Sequence, residues 1–121
     1  MKFTRELPNA VTIRKIAIGE IQIGADTYRK AVALTADEVL GDWHAKPIAD
    51  LTIDDLDQVL ATGPELIVLG TGNNNIFPPR EIMFALAKKG IGFEVMDTGA
   101  AARTFNVLAN EGRKFAAILY V

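Results

Sequence analysis

Two short apolar runs, each followed by a turn-rich segment, decide the fold of this 121-residue chain. The first is Glu65-Leu-Ile-Val-Leu69, which leads into Gly70-Thr-Gly-Asn-Asn-Asn75, and the second is Gly92-Phe-Glu-Val-Met96, which leads into Asp97-Thr-Gly99. A helix-like pattern follows each turn-rich segment. The order strand, loop, helix, strand, loop, helix is typical of parallel strands in one sheet, so both loops are expected at the same edge of that sheet.

Local signals mark the ends of the predicted helices. Pro78 and Pro79 favour a helix start, because proline at the first helical position loses no intrahelical hydrogen bond. Gly90 suits the position just beyond the end of that helix. Further upstream, Thr52 predicts the start of another helix, and Gly63 predicts its end.

Alternating residues near the N-terminus predict a β hairpin. Residues 11–18 have strand-like β-branched content, residues 20–23 alternate cleanly, and residues 27–35 are expected to form a single returning strand. Residues 1–10 show no periodicity and are expected to form a flexible arm. With a final apolar strand at 115–121, the residues predict a hairpin region followed by βαβαβ, in a single domain over the whole chain.

Composition argues against several classes of function. The net charge is −2 with no basic run, which gives no electrostatic footprint for nucleic acid. No apolar stretch approaches the roughly 20 residues of a membrane span, and the N-terminus does not resemble a signal peptide, so we expect a cytoplasmic protein. The chain has no Cys and no Ser, and His44 is its only histidine. Thiol and serine nucleophiles and multi-histidine metal sites are therefore excluded, and we predict no metal and no cofactor.

The two loops carry the candidate ligand-binding residues. Arg103 lies in or near the first helical turn, where a cation opposes the helix dipole at a cost of roughly 0.3–1 kcal/mol, and Asp97 is the nearest acid that would offset it. Either Asp97 or Thr98 simply caps the helix, or these groups and the loop amides surround an anionic or polar ligand. The candidate ligand-binding residues are Gly70, Thr71, Gly72, Asn73, Asp97, Thr98 and Arg103.

A nucleotide site is disfavoured at the same loop. Asn75 stands where the dinucleotide fingerprint has its third glycine, and two prolines separate the loop from the helix. Trp43 is interpreted as a core or lid aromatic, with stacking on a ligand as the alternative. His44 is interpreted as a surface residue or one that supports a site without direct contact, because a lone histidine lacks partners for catalysis or metal binding.

The helix predicted over residues 80–89 has apolar side chains nearly all round. Ile82 and Leu86 cluster on one side, whereas Met83 and Phe84 lie well round the other. A helix that only covers a sheet needs one apolar stripe. Either Phe84 packs under a neighbouring loop or the N-terminal arm, or Met83 and Phe84, with weaker support from Val107 on the last helix, form a partner-binding or self-association surface.

Several segments closely resemble one known family. They are Leu66-Ile-Val-Leu-Gly-Thr-Gly72, Phe77-Pro-Pro79, Gly90-Ile-Gly-Phe-Glu-Val-Met-Asp-Thr98, Ala101-Ala-Arg-Thr-Phe-Asn-Val-Leu108 and Glu111-Gly-Arg113. The resemblance is to the uncharacterised domain family four-nine-eight, the Mth938-like group. Its eukaryotic members include the adipogenesis-associated domain protein and a mitochondrial assembly factor for respiratory complex I. The resemblance implies a three-layer α/β fold, with a central mixed sheet flanked by helices and an additional N-terminal β layer.

The resemblance also bears on activity. The motif positions that it carries over are Gly70, Thr71, Gly72, Pro78, Asp97, Thr98, Arg103, Thr104 and Asn106. Because the family has no established reaction, the resemblance implies that no enzymatic activity should be assumed. The helix with apolar side chains all round and the missing nucleophiles favour a non-catalytic interaction or assembly module with a protein partner or a second copy of itself. The alternative is a small anionic-ligand binding domain that uses the loop edge at 70–75 and 97–103. An enzyme that uses Asp97 with a Lys or Thr is the least favoured hypothesis.

Overall fold

Eight strands and three α-helices follow one another along the residues described by the structure, a computed structural model that covers 11–41, 43, 46–74 and 76–121. In chain order they are β1 (Ile13–Ala17), β2 (Glu20–Ile23), β3 (Asp26–Tyr28), β4 (Val32–Thr35), β5 (Val39–Leu40), α1 (Asp57–Leu60), β6 (Leu66–Thr71), α2 (Arg80–Lys88), β7 (Gly92–Met96), α3 (Thr98–Asn110) and β8 (Phe115–Tyr120). Short 3₁₀ helices at Ile48–Asp50 and Ile53–Leu56 precede α1.

The strands form two sheets. β1, β2 and β3 make an antiparallel sheet in that order. The central sheet has five strands in the order β5-β4-β8-β6-β7, with β6 parallel to both β7 and β8 and with β4 antiparallel to β5 and β8. The parallel pairing of β6 with β7 places the loops that follow them at the same edge of the sheet, as the order of elements predicts.

Both faces of the central sheet are covered, which creates two hydrophobic clusters. On one face Val68 and Leu119 pack with α3 and the N-terminal sheet. On the other face Ile67 and Ile118 pack with α2 and the segment at 48–60. Neighbouring strand residues point to opposite faces, so an interior strand covered on both sides reads as a continuous apolar run. The three-layer α/β fold with a central mixed sheet and an added N-terminal β layer is confirmed.

Two predicted elements differ from the structure. The single returning strand expected at 27–35 is wrong, because β3 and β4 lie in different sheets. The exposure pattern gives the reason: β3 is mostly exposed, whereas Val32, Ala33 and Leu34 are buried in the central sheet. The helix expected from Thr52 begins as a 3₁₀ turn, and its α-helical part is only Asp57–Leu60. The arm expected at residues 1–10 and the surface role expected for His44 lie outside the described residues.

Candidate functional site

The loop after β6 and the start of α3 meet at the carboxyl edge of the central sheet. The Gly72 amide donates to Thr98 Oγ1 (2.7 Å), and the Thr98 amide donates to the Gly72 carbonyl oxygen (3.0 Å). The Thr98 hydroxyl in turn donates to the Tyr120 carbonyl oxygen at 2.6 Å. Thr98 is only 3% exposed, so its hydroxyl is committed to linking β6, α3 and β8.

The glycines of this loop are required by close packing. A Cβ on Gly70 would lie 2.9 Å from Thr98 Oγ1, 3.0 Å from Ala101 Cβ and 3.1 Å from Leu119 Cδ2. Gly72 has a φ of +77°, a left-handed conformation that favours glycine. The neighbouring Thr71 hydroxyl donates to the Asn74 carbonyl oxygen at 2.6 Å. These residues therefore bring α3 against β6 and close the loop on itself.

Asp97 acts as the N-cap of α3. Its Oδ1 accepts the Ala100 amide at 2.8 Å, and its carbonyl oxygen accepts the Ala101 amide at 2.9 Å. The Thr98 amide is taken by Gly72, so three amides at the start of this helix already have acceptors within the protein. A helix N-terminus attracts anions through its unpaired amides. The N-terminus of α3 therefore has few amides left to bind an anion.

Arg103 lies near Asp97 but forms no ion pair with it. A Cβ on Gly99 would be 3.3 Å from Asp97 Oδ1 and 3.8 Å from Arg103 Nη1, yet the exposed guanidinium is not within ion-pairing distance of the carboxylate. It lines a cavity of about 230 Å³ between α3 and β1, together with Arg14 and Lys15. Gly72, Asn73 and Thr98 instead line a cavity of about 370 Å³ with the β1–β2 hairpin and the end of β8. The structure thus joins the glycine loop to Thr98 and separates both from the guanidinium.

Asn106 has a structural role that the sequence reasoning did not assign. Its Oδ1 accepts the Ile13 amide at 3.1 Å, and its Nδ2 donates to the Ile13 carbonyl oxygen at 2.9 Å. This paired contact fastens α3 to the first strand of the N-terminal sheet. The available signal was a polar amide four residues after Ala102, on the buried side of the helix.

The outer side of α2 carries the predicted partner residues Met83 and Phe84, which are 47% and 62% exposed. Ile82 and Leu86 on the same helix are buried against the central sheet. Ile76 and Phe77, just before the helix, are also 42% and 70% exposed, although the sequence reasoning did not include them. Their signal was an apolar pair within a turn-rich loop. We refer to these four exposed residues, Ile76, Phe77, Met83 and Phe84, as the α2 surface.

The third predicted partner residue, Val107, lies elsewhere. It is 56% exposed on α3, which packs against the opposite face of the central sheet from α2. A single flat partner surface therefore does not include it together with Met83 and Phe84.

Trp43 and Tyr120 form a fixed aromatic pair near the same sheet edge. Their ring centroids are 6.0 Å apart at an interplanar angle of 87°. The Tyr120 hydroxyl donates to the Lys46 carbonyl oxygen, and burial, with a smaller contribution from the negative charge of Asp55, raises the pKa of Tyr120 to about 12. A phenol with that pKa stays protonated at neutral pH and cannot act as a base.

The Asp55 carboxylate is engaged in a hydrogen bond and an ion pair within the protein. Its Oδ2 accepts the Thr52 amide at 2.8 Å and lies 3.0 Å from Lys46 Nζ. The Thr52 amide contributes most, followed by Lys46, to the lowering of the pKa of Asp55. Within the described part of the chain, the His and acidic side chains form no group of three that could hold a metal ion.

Among the helices of the described residues, none is both long and apolar enough to span a bilayer.

Two relatives are similar to this chain over most of its length. The "13 kDa major membrane protein" of Francisella tularensis is 32% identical over 111 residues, which are 90% of this chain and 89% of that protein. The NADH dehydrogenase (ubiquinone) 1 alpha subcomplex assembly factor 3 of Mus musculus is 34% identical over 117 residues, or 94% of this chain. The match spans 62% of the length of that assembly factor.

The fold has a counterpart among solved structures. A Mth938-like domain from Bordetella pertussis, determined by solution NMR, superimposes with a TM-score of 0.80 at 27% identity. The superposition covers 99% of this chain and 92% of that domain. The model of one family, described as "Protein of unknown function (DUF498/DUF598)", matches residues 13–120. The chain therefore belongs to the DUF498/DUF598 family, the Mth938-like group that its motifs resemble.

Proposed function

We propose that this protein is a non-catalytic interaction module that binds a protein partner through the α2 surface. The observation that carries the proposal is the exposure of Phe77 and Phe84, 70% and 62%, within eight residues of chain. Met83 and Ile76 add two further exposed apolar side chains to the same segment. Aromatic residues and methionine are enriched at the buried centres of protein interfaces, where a few such side chains supply most of the binding energy.

The packing of α2 supports this assignment. Ile82 and Leu86 already anchor the helix to the sheet, with exposures of 1% and 0%. The exposed residues are therefore not needed to hold the helix in place. Their burial by a partner would contribute roughly 25 cal/mol for each Å² of apolar area removed from water.

The loop edge is a weaker candidate for a binding site than the α2 surface is. An anionic ligand there would need free donors, but the Gly72 amide and the amides of Thr98, Ala100 and Ala101 already donate within the protein. Arg103, the one cation of the predicted ligand set, lines a different cavity. An interaction role also suits the mouse relative, which is named as an assembly factor.

Site-specific photo-crosslinking tests the proposal directly. A photoreactive phenylalanine analogue at position 84 in living cells is expected to give a discrete crosslinked protein adduct. The matched control places the same analogue at Asn110, an exposed position at the end of α3. Excess untagged wild-type protein should compete for the adduct, whereas a Met83→Ser, Phe84→Ser variant should not.

The proposal fails if position 84 gives the same adducts as position 110, or if the double variant competes as well as the wild type does. The mass of the adduct separates the two protein occupants. A value near twice the mass of this chain identifies a second copy, and any other value identifies a different protein. Both results support an interaction surface, and only the first makes the protein a homo-oligomer.

A cytoplasmic location belongs to the same proposal. It rests on the composition of the chain, which has no cysteine and no long apolar run. The name of the Francisella relative points to a membrane instead. Fractionation of cells without detergent decides between the two: recovery in the high-speed supernatant is expected, and recovery in the membrane pellet after a high-salt wash would contradict the proposal.

A further inference from the structure

A second feature of the molecule is a cavity at the junction of its two sheets, on the β4–β5 side of the carboxyl edge rather than beside the loop that follows β6. It lies between β3 and the β4–β5 edge of the central sheet and has a volume of about 560 Å³. Small-molecule sites typically measure about 300–1,000 Å³. Its apolar wall consists of Tyr28, Ala31, Val32, Val39, Leu40 and Trp43.

The charged side chains of this cavity are all of one sign among the described residues. Arg29 and Lys30 are adjacent in its lining, and no acidic side chain from the described residues lines it. Arg29 Nε lies 3.8 Å from Glu20 Oε1, and the Arg29 side chain is 73% exposed. This ion pair is weak, so the guanidinium remains available to bind an anion. The cavity beside α1 differs, because it combines Asp37 and Glu38 with Arg113 and Lys114.

Trp43 contributes part of the apolar wall. Its indole Nε1 is buried and has no acceptor among the described residues, so it lies out of reach of a ligand in the cavity. The edge-to-face contact with Tyr120 fixes the indole ring in place.

We infer that this cavity binds one molecule of an amphiphilic carboxylate, such as a medium-chain acyl carboxylate. The apolar chain lies against Val32, Val39 and Leu40, and the carboxylate meets Arg29 and Lys30. Charge complementarity selects an anionic head group, since the two charged side chains that the described residues contribute to this lining are both cations beside an apolar wall. This inference is independent of the interaction role of the α2 surface.

Trp43 is the only tryptophan of the chain, so its fluorescence reports on this cavity alone. The probe is decanoate, titrated below its critical micelle concentration. A saturable change in emission is expected for decanoate. Decanol and decyltrimethylammonium carry the same alkyl chain with a neutral or a cationic head, and they are expected to bind at least tenfold more weakly.

Variants of the two cations test the head-group contact. Arg29→Ala combined with Lys30→Ala is expected to raise the Kd for decanoate about tenfold, the loss of a modest charge contact. The matched control is Arg113→Ala with Lys114→Ala, which removes two adjacent basic residues from a different cavity and should leave the Kd unchanged. Far-ultraviolet circular dichroism of both pairs verifies folding, and Arg29→Gln with Lys30→Gln replaces the first pair if it unfolds.

Two results would overturn the inference. One is equal affinity for decanoate, decanol and decyltrimethylammonium, which would make the contact merely hydrophobic. The other is a fluorescence response to vesicles of anionic phospholipid with no response to monomeric decanoate, which would identify a membrane surface as the occupant. A decanoate response that loses its head-group preference only in the Arg29 and Lys30 variant supports the inference.

Discussion

The carboxyl edge of the central sheet beside β6 and the outer side of α2 differ in which groups remain available to a ligand or partner. At the sheet edge the Gly72 amide, the Thr98 hydroxyl and the Ala100 amide all have partners within the protein. On α2 the large apolar side chains of Met83 and Phe84 face solvent. Polar residues in the loops therefore serve folding here, whereas apolar residues on a helix remain available for binding.

This difference reverses the usual expectation for an α/β sheet, in which ligands bind at the carboxyl ends of the strands. Here the part of that edge beside β6 and α3 is occupied by the protein's own hydrogen bonds. The motif residues Gly70, Thr98 and Asn106 hold β6, β8, α3 and β1 together. Substitutions should therefore separate the two regions: changes at the edge lower stability, and changes on α2 lower partner binding alone.

The largest loss of stability is expected from Gly70→Val. A Cβ at this position would contact three side-chain atoms at 2.9 to 3.1 Å, so α3 must move away from β6. Overpacking of this kind costs about 3 kcal/mol. Urea unfolding followed by circular dichroism measures the change in the free energy of unfolding.

Gly41→Val is the matched control for that substitution, because a Cβ at Gly41 would meet nothing within 4 Å. A Gly70 variant as stable as the Gly41 variant would show that α3 is not packed closely on β6.

Thr98→Val is expected to cost about 2 kcal/mol, since it keeps the shape of the side chain and removes a hydroxyl that serves two partners. The Gly72 amide loses its acceptor and the Tyr120 carbonyl oxygen loses a donor. The same unfolding assay applies. Thr27→Val, at an exposed position of β3, should change stability by less than about 0.5 kcal/mol. Equal losses in the two valine variants would mean that the Thr98 hydroxyl does not link the strands.

At this edge the sequence predicts the interactions between residues that are close along the chain, but not those between residues that are far apart. The order of elements from β6 to β8, the start of α2 after Pro79 and a cap at the start of α3, for which Asp97 was one of two candidates, follow from local patterns, and the structure has each of them. The link from Thr98 to Tyr120 spans 22 residues, and no local pattern contains it. The ligand role assigned to these residues remains a prediction.

The sequence did not predict the division between β3 and β4 for a related reason. Residues 27–35 look like one strand because the residues themselves all suit a strand. Only pairing decides that Asp26–Tyr28 joins β2 while Val32–Thr35 joins β8, and β8 lies more than 80 residues further along the chain. Likewise, the dipole argument named Asp97 as the acid that offsets Arg103, but only the folded structure shows that Asp97 caps the Ala100 amide without forming an ion pair with Arg103.

Asn106→Leu is expected to lower stability by about 1 kcal/mol, because the Ile13 amide and carbonyl lose their partners at a partly buried position. Asn110→Leu, one helical turn further on and exposed, is the matched control and should be close to neutral. Hydrogen exchange adds a local measurement, in which the Ile13 amide should exchange faster only in the Asn106 variant. Unchanged protection of that amide would contradict the assigned contact between α3 and β1.

The smallest effect on stability is expected from Met83→Ser combined with Phe84→Ser. Because the fold should stay intact, any loss of partner binding in this variant can be assigned to the two side chains. Exposed side chains contribute little to folding, so the free energy of unfolding should change by less than about 0.5 kcal/mol per site. Leu86→Ala on the same helix removes a fully buried side chain and should cost about 2–5 kcal/mol. If the serine variant unfolds as readily as the Leu86 variant, Phe84 packs within the fold. A stable serine variant that loses its partner leaves recognition as the only role for these two side chains.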